Sequence, residues 1–430
     1  MAASAEENFI EQDAKPESDS EDTVENGVEM EFSEEPMRGL KPFQYGPLFS
    51  GLLKQRIQRC ISSGPSFKFD DLQVQLCSET ERKAKPAPDK LVFGHEFTDH
   101  MLEIEWTLAN GWGAPSICPF HNISLHPAAK VLHYAVELFE GLKAYRGVDN
   151  TVRLFRPDQN IQRMLTSAER ATLPLFDSEE FLKCLKKLIS VEKDWVPDTT
   201  TSSLYIRPTM IGTEGSLGVS VPNRSLLYVI MGPVGAYFPT GLKPVSLMAE
   251  PKYTRAFEGG CGNYKMGSNY APTINVQVEA LEKYGCQQVL WLYGPDHLLT
   301  EVGTMNIFMY WINTQGEKEL ITHPLSGIIL PGVTRRSLID LAKKRGEFKV
   351  TERPFGMAEV IKGLQEGRVK EIFGSGTACV VCPVKEIVYK GERLQIPTME
   401  EGAPITMMFY KELADIQYGR TPSDWVVPID

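Results

Sequence analysis

Nowhere does this chain of 430 residues run apolar for the roughly 20 residues that a bilayer-spanning helix needs, so no membrane segment is expected. Its eight cysteines (Cys60, Cys77, Cys118, Cys184, Cys261, Cys286, Cys379, Cys382) are scattered, with a single C-x-x-C and no secretory signal peptide. A disulfide scaffold is therefore not expected, and a structural zinc built on paired cysteines would want a second close pair that does not exist. Positive charge is short as well: 45 Lys and Arg stand against 56 Asp and Glu, a net charge of −11 that argues against a nucleic-acid partner. What remains, 42% hydrophobic and 23% charged, is the balance of a soluble globular protein long enough for two domains.

Much of the acid sits in one place. Residues 1–36 carry thirteen acidic residues against Lys15 alone and few large apolar ones, which reads as a disordered leader. From Met37 the character reverses: Arg38, Lys41, Lys54, Arg56, Arg59 and Lys68 occur with no acid before Asp70, among Leu48, Leu52, Leu53, Ile57 and Ile61. A basic, serine-containing stretch free of acids has the composition of a mitochondrial transit peptide, which works at an N-terminus. Here acid precedes it. The full-length chain is expected to be cytoplasmic, and a product started at Met37 to be imported into mitochondria, with 37–90 serving as transit-like segment and linker.

The folded part reads as mixed α/β and α+β. In a small N-terminal domain at 91–236, Leu102–Trp106, Val152–Phe155, Leu204–Pro208 and Leu226–Met231 are expected strands. Val131–Tyr145 has apolar residues three and four apart, a second helix begins near Pro157, and a third follows the capping-box spacing at Asp177–Glu180. Prolines and glycines at Gly232–Gly241 break the pattern, giving an interdomain loop at 237–243. In a larger domain at 244–430 the expected elements are a helix at Pro272–Lys283 stopped by Gly285 and a strand at Gln288–Leu292. Gly327–Ser337 reads as a buried strand, tight turn and helix start, and Phe373–Ala378 as a glycine-rich turn. Helices at Met357–Leu364 and at Ile405–Ile416 complete the pattern.

Chemistry concentrates at Gly259–Tyr270, where glycine, serine and asparagine surround one lysine, Lys265, with no acidic neighbour within five residues. That suits a nucleophilic lysine whose pKa is lowered by desolvation or nearby positive charge, with Arg255 the sequence-near candidate. It equally suits a surface loop with a solvated lysine. Thr300–Asn306, after the apolar run Gln288–Leu292, supplies a carboxylate at Glu301. The helix start after Gly332 offers unpaired amides to an anion.

Together these stretches resemble the fold-type-IV pyridoxal-phosphate enzymes, specifically the branched-chain amino acid aminotransferases of animals. The resemblance runs from about Leu91 to about Trp425 and includes, in the family's order, Tyr134–Gly141, Ser203–Pro208, the lysine stretch, Thr300–Asn306, Leu330–Arg335 and Gly374–Cys379. It implies a two-domain fold with the active site between domains, a homodimer, and pyridoxal 5′-phosphate as cofactor. It also implies transamination of L-leucine, L-isoleucine and L-valine with 2-oxoglutarate, giving branched-chain 2-oxo acids and L-glutamate. By resemblance Lys265 carries the cofactor and acts as acid and base. Arg163, Val333, Thr334 and Thr377 hold its phosphate, Tyr270 its ring oxygen and Glu301 its ring nitrogen, with Arg255 in support. Phe93, Tyr134, Phe139, Tyr205 and Tyr237 form an apolar pocket; Arg207 is a candidate for the glutamate carboxylate, and Thr304 with the Ala378 amide receives the α-carboxylate. Cys379 and Cys382 resemble the redox thiol pair of the mammalian enzymes, and no metal is implied. Ser268 departs from the glycine of many relatives.

A D-amino acid aminotransferase or an aminodeoxychorismate lyase would share Lys265 and Glu301, and a thiol-redox interaction protein on this fold is the alternative from another class. The localisation reading is checked by fusing 1–90 and 37–90 separately to a fluorescent reporter. The first is expected in the cytosol and the second in mitochondria; identical cytosolic distributions reject the transit segment.

Overall fold

The computed structural model describes residues 65–235 and 243–429, all within one compact unit. The acidic leader at 1–36, residues 37–64, Tyr237 and the 237–242 part of the expected loop lie outside the described residues.

Two sheets make the frame. The first has ten strands, with Ser203–Gly212 and Arg224–Val234 paired antiparallel along their length at its centre. His100–Thr107 flanks that pair on one side, and Leu142–Arg146 followed by Val152–Phe155 on the other. The helices Pro157–Arg170 and Ser178–Val191 bury Ile161, Met164, Leu185 and Leu188 in one cluster with Leu102, Ile104, Leu204 and Ile206 of the sheet. Their apolar residues recur three and four apart, so each helix hides one stripe and leaves its charged face in water.

The second sheet has nine strands between Val245 and Gln395. Leu298–Val302 pairs with both Gln288–Tyr293 and Met305–Ile312, which closes six strands into a barrel around Leu247, Leu290, Leu299, Ile307 and Ile372. A third cluster joins the sheets: Tyr145 and Phe155 of the first pack in one group with Phe308, Phe373 and Phe409. The last strand, Val426–Pro428, returns to pair with Val152–Phe155.

Several local expectations are overturned by tertiary pairing. The helix at Val131–Tyr145 stops after Lys130–Tyr134, because Ala135 turns left-handed (φ 48°) and Glu137–Phe139 and Leu142–Arg146 pair with Ser203–Gly212. Leu138 and Leu142 are buried as strand residues, while Leu132 is exposed. A sheet partner outweighs a helical spacing of apolar residues. The strand Leu226–Met231 does not break at Gly232 but runs to Val234, since Gly232 lets the Glu96 carbonyl approach where a side chain would collide. Ile328–Leu330 are buried without forming a strand: the Leu330 amide donates to Glu301 Oε1 (2.7 Å), and its carbonyl accepts from Asn306 Nδ2 (2.9 Å). Gly374 and Gly376 belong to the strand Val369–Gly376, and the turn is Thr377–Cys379. At Asp177 only half of the capping box forms; its carboxylate caps Glu179 N and Glu180 N, but Glu180 accepts from Phe69 N (2.6 Å) instead.

Candidate active site

A cavity of about 350 Å³ opens between the two sheets. Phe93, Phe139, Gly141, Arg163, Tyr205 and Arg207 line it from the first part of the chain; Lys265, Tyr270, Thr304, Val333, Thr334, Thr377, Ala378 and Cys379 line it from the second. Lys265 is pinned by its backbone. Its amide donates to Ser167 Oγ (2.9 Å) on the helix Pro157–Arg170, and its carbonyl accepts from Phe139 N (3.0 Å). The side chain crosses the Phe139 ring, 4.6 Å from its centre, and Nζ donates to the Tyr270 hydroxyl at 3.2 Å.

Burial, and then the Arg163 guanidinium, push the Lys265 amine down to about 8; Glu140 opposes them and Arg207 adds to them. Arg255 was the expected source of that positive charge, and it is not. Its guanidinium lies 3.0 Å from Glu301 Oε2, and both side chains are almost fully buried. Glu301 also accepts the Leu330 amide and, at 3.3 Å, Asn306 Nδ2. Burial raises its carboxyl, with Arg255 and the Leu330 amide pulling the other way. Glu301 and Arg255 are not among the lining residues, whereas Asn306 and Leu330, which donate hydrogen bonds to Glu301, are. Burial and then Glu301 push the Tyr270 hydroxyl up to about 12, so it stays a donor at neutral pH.

Arg163 makes a forked pair with Glu140, Nε at 2.7 Å and Nη2 at 2.9 Å, and Nη1 donates to the Pro331 carbonyl (3.0 Å). Asn160 Nδ2 donates to the same carboxylate (2.9 Å). Burial would raise the Glu140 carboxyl, but Arg163, Lys265 and Asn160 more than offset it and hold it below the usual range. A guanidinium has five N–H groups, so Arg163 keeps two free. A Cβ at Gly141 would collide with the Tyr205 hydroxyl, so a larger residue there would displace that ring. Arg207 donates to that hydroxyl (3.1 Å) and packs 4.8 Å from the Phe139 ring centre.

The helix Val333–Arg345 starts at the cavity after Gly332, so its first amides and the hydroxyls of Thr334 and Thr377 line the same space. Ser375 Oγ and Arg207 Nε, both on residues of the lining, are buried without a hydrogen-bond partner among the described residues. The donor set fits a small molecule carrying a phosphate: amides, hydroxyls and a guanidinium for the anion, a depressed lysine amine, and a carboxylate behind the wall.

A model of the class IV amino-transferase family matches residues 137–387. The chain belongs to that family. It is 60% identical to the cytosolic branched-chain-amino-acid aminotransferase of Mus musculus over 365 residues, 85% of this chain and 94% of the mouse protein. With the mitochondrial branched-chain-amino-acid aminotransferase of Rattus norvegicus it shares 57% over 373 residues, 86% of this chain and 94% of the rat one. The fold is that of the branched-chain aminotransferase of Thermoproteus uzoniensis, crystallised with norvaline (TM-score 0.61, 22% identity, covering 76% of this chain and 99% of that one). It is likewise similar to the branched-chain amino acid aminotransferase of Thermobaculum terrenum in its PLP form (TM-score 0.61, 20% identity, covering 78% and 100%).

Besides Glu301 and Arg255, the expected pocket residue Tyr134 does not line the cavity, nor does Cys382 of the expected thiol pair. Tyr134 was expected near the core and the pocket; its ring is 38% exposed and its hydroxyl donates to the Leu217 carbonyl, because the helix that would have carried it inward ends there. Cys382 is buried on the strand Val380–Tyr389 and does not line the cavity, whereas Cys379 does, 3.1 Å from Met305 Sδ. Burial pushes both thiols up to about 12, so neither is a ready thiolate. Sequence reasoning missed the roles of Glu140, Asn306 and Lys143. Glu140 and Asn306 lay inside quoted motifs, but nothing in their spacing said that they would hold Arg163 and Glu301. Lys143 Nζ donates to the Ala378 carbonyl (2.9 Å), and burial lowers its pKa to about 8.

The lowered pKa of Lys265 has a direct check. In cofactor-free protein, labelling of Lys265 by an amine-reactive reagent, mapped by peptide mass spectrometry, should rise with pH around a midpoint near 8. The amine reacts only when neutral, so a depressed pKa brings reactivity to lower pH; a midpoint near 10.5, that of an ordinary lysine, rejects it.

Proposed function

We propose that this chain is a pyridoxal-phosphate-dependent aminotransferase that moves the amino group of L-leucine, L-isoleucine or L-valine to 2-oxoglutarate, giving branched-chain 2-oxo acids and L-glutamate. The observation that carries this reading is Lys265, an amine lowered to about 8 in a cavity that also holds an anion cradle. The names of its relatives support the substrate class, and the PLP form of the Thermobaculum protein supports the cofactor.

On this reading the amides of Val333 and Thr334, the Thr377 hydroxyl and the free N–H groups of Arg163 hold the phosphate. Tyr270 serves the ring oxygen, and Glu301, balanced by Arg255, the ring nitrogen. Bound there, pyridoxal phosphate supplies an electron sink that lets the Cα–H bond of an amino acid ionise. Lys265 would be its covalent anchor and, as a free amine, the acid and base that takes the proton from substrate Cα. Phe93, Phe139 and Tyr205 shape an apolar pocket; Thr304 and the Ala378 amide take the α-carboxylate. Arg207 is the group that lets the same pocket accept the second carboxylate of glutamate. The full-length chain is read as cytoplasmic, and the enzyme as a homodimer.

The purified chain should show a visible cofactor band that shifts on adding L-leucine without an oxo acid and not on adding D-alanine or aminodeoxychorismate. Lys265→Ala should lack the band, and a wild type with no band after adding pyridoxal phosphate leaves only the fold in common with the family. Arg207→Gln should raise KM for 2-oxoglutarate about tenfold or more, the worth of one hydrogen bond between charged groups, with a smaller change for leucine. Equal changes for both substrates would remove Arg207 from that role.

A further inference from the structure

Away from the cavity, three metal-ligating side chains meet on one face of the first sheet. Glu103 lies on His100–Thr107, Cys118 on the adjacent Ser116–Pro119, and His121 just beyond that strand. Pairing of Met101 with Cys118 and of Glu103 with Ser116 puts Glu103 and Cys118 on the same face, one diagonal apart. Glu103 Oε2 is 3.2 Å from His121 Nε2 and 3.9 Å from Cys118 Sγ, and the three ligand atoms all lie within 4.8 Å of one another. Glu103 and Cys118 are half-buried, while His121 is open to solvent.

The histidine is oriented for ligation. Its Nδ1 sits 3.0 Å from the Asn122 carbonyl oxygen, which only accepts, so Nδ1 carries a proton. In the neutral ring Nε2 is then a bare lone pair, and it points at a carboxylate oxygen, another lone pair. Either a proton on Nε2, donated to Glu103 Oε2 as an ion pair, or a divalent cation makes that approach favourable, so a metal ion competes with a proton for this position. An imidazole N–H held by a backbone carbonyl while the other nitrogen faces the ion is the arrangement that orients metal-bound histidines.

We propose that Glu103, Cys118 and His121 bind a divalent transition-metal ion, zinc foremost, with one position left to water. Tetrahedral zinc with bonds of roughly 2.0–2.3 Å sets its ligands about 3.3–3.8 Å apart, close to the two separations that Glu103 makes, 3.2 and 3.9 Å. Thiolate, imidazole and carboxylate together select zinc over magnesium or calcium. Binding releases the Cys118 proton to solvent. Cys118 and His121 stand three residues apart, but the third ligand, Glu103, is brought to them by strand pairing, which no spacing announces.

The test is a Co²⁺ titration of the full-length protein under reducing, chelator-free conditions. A single equivalent should give d–d absorption in the red, clear of any cofactor band, and Zn²⁺ should displace it. The band should be lost in Cys118→Ser and in His121→Ala, both of which keep wild-type circular dichroism and transaminase activity. Zn²⁺ should also protect Cys118 from alkylation in peptide mapping. No red band at a large excess of Co²⁺, or a band that survives in Cys118→Ser, overturns the proposal.

Discussion

The buried pair between Arg163 and Glu140 is the contact on which the cavity depends. Either charge alone would be expensive to bury, and only their forked geometry, completed by Asn160 and the Pro331 carbonyl, makes the position tolerable. Three stretches distant in sequence are fixed by it: the helix Pro157–Arg170, the Glu140–Gly141 link between two strands, and the turn before Val333–Arg345. It also sets the field at Lys265. Arg163 lowers that amine and Glu140 raises it, so the amine stays lowered because burial and Arg207 act in the same direction as Arg163.

The second constraint is closure of the barrel. Leu298–Val302 is the strand that closes it, and Glu301 sits there opposite Trp291 on one neighbour and Asn306 on the other. A carboxylate at such a place has no water to turn to, so its hydrogen bonds come from Arg255, Asn306 and Leu330. This is why the stretch Ile328–Leu330 is buried and still not a strand. Its backbone pairs with side chains, and the chain is thereby carried to the helix start that faces the cavity.

Legibility followed the range of the forces. Where an element is set by its own residues, as in the helix Ala271–Tyr284 ended by left-handed Gly285 or the strand Val152–Phe155, the sequence pattern was enough. Where two segments decide together it was not. Leu132, Ala135, Leu138 and Leu142 have helical spacing, yet pairing with Ser203–Gly212 unwinds all but the first turn, and Tyr134 is left on the surface. The same limit holds for the site. The residues that face the cavity were legible through family motifs, whereas Glu140 and Asn306, which hold others in place, do so through contacts that no spacing encodes. Arg255 was read as a neighbour of Lys265 because it is near in sequence, and it serves Glu301 because the fold turns it there.

Charge balance decides how the cavity attracts an anion. Arg163 is matched by Glu140 and Arg255 by Glu301, while Glu137 lies within electrostatic reach of Arg207 and is itself raised by burial. The guanidinium groups therefore leave little net charge to draw in a phosphate. Beside the N–H groups of Arg163, much of the attraction comes from groups that are polar without being ionised: the unpaired amides at the start of Val333–Arg345 and the hydroxyls of Thr334, Thr377 and Ser375. Such dipoles act at short range, so they select by fit and not by charge at a distance. An anion of the wrong shape gains little there, and a nearly neutral cavity holds Lys265 as an ammonium less firmly than water holds an ordinary lysine. One arrangement thus meets two demands that a strongly negative or strongly positive site would set against each other: it offers an anion a cradle and lowers the pKa of a lysine.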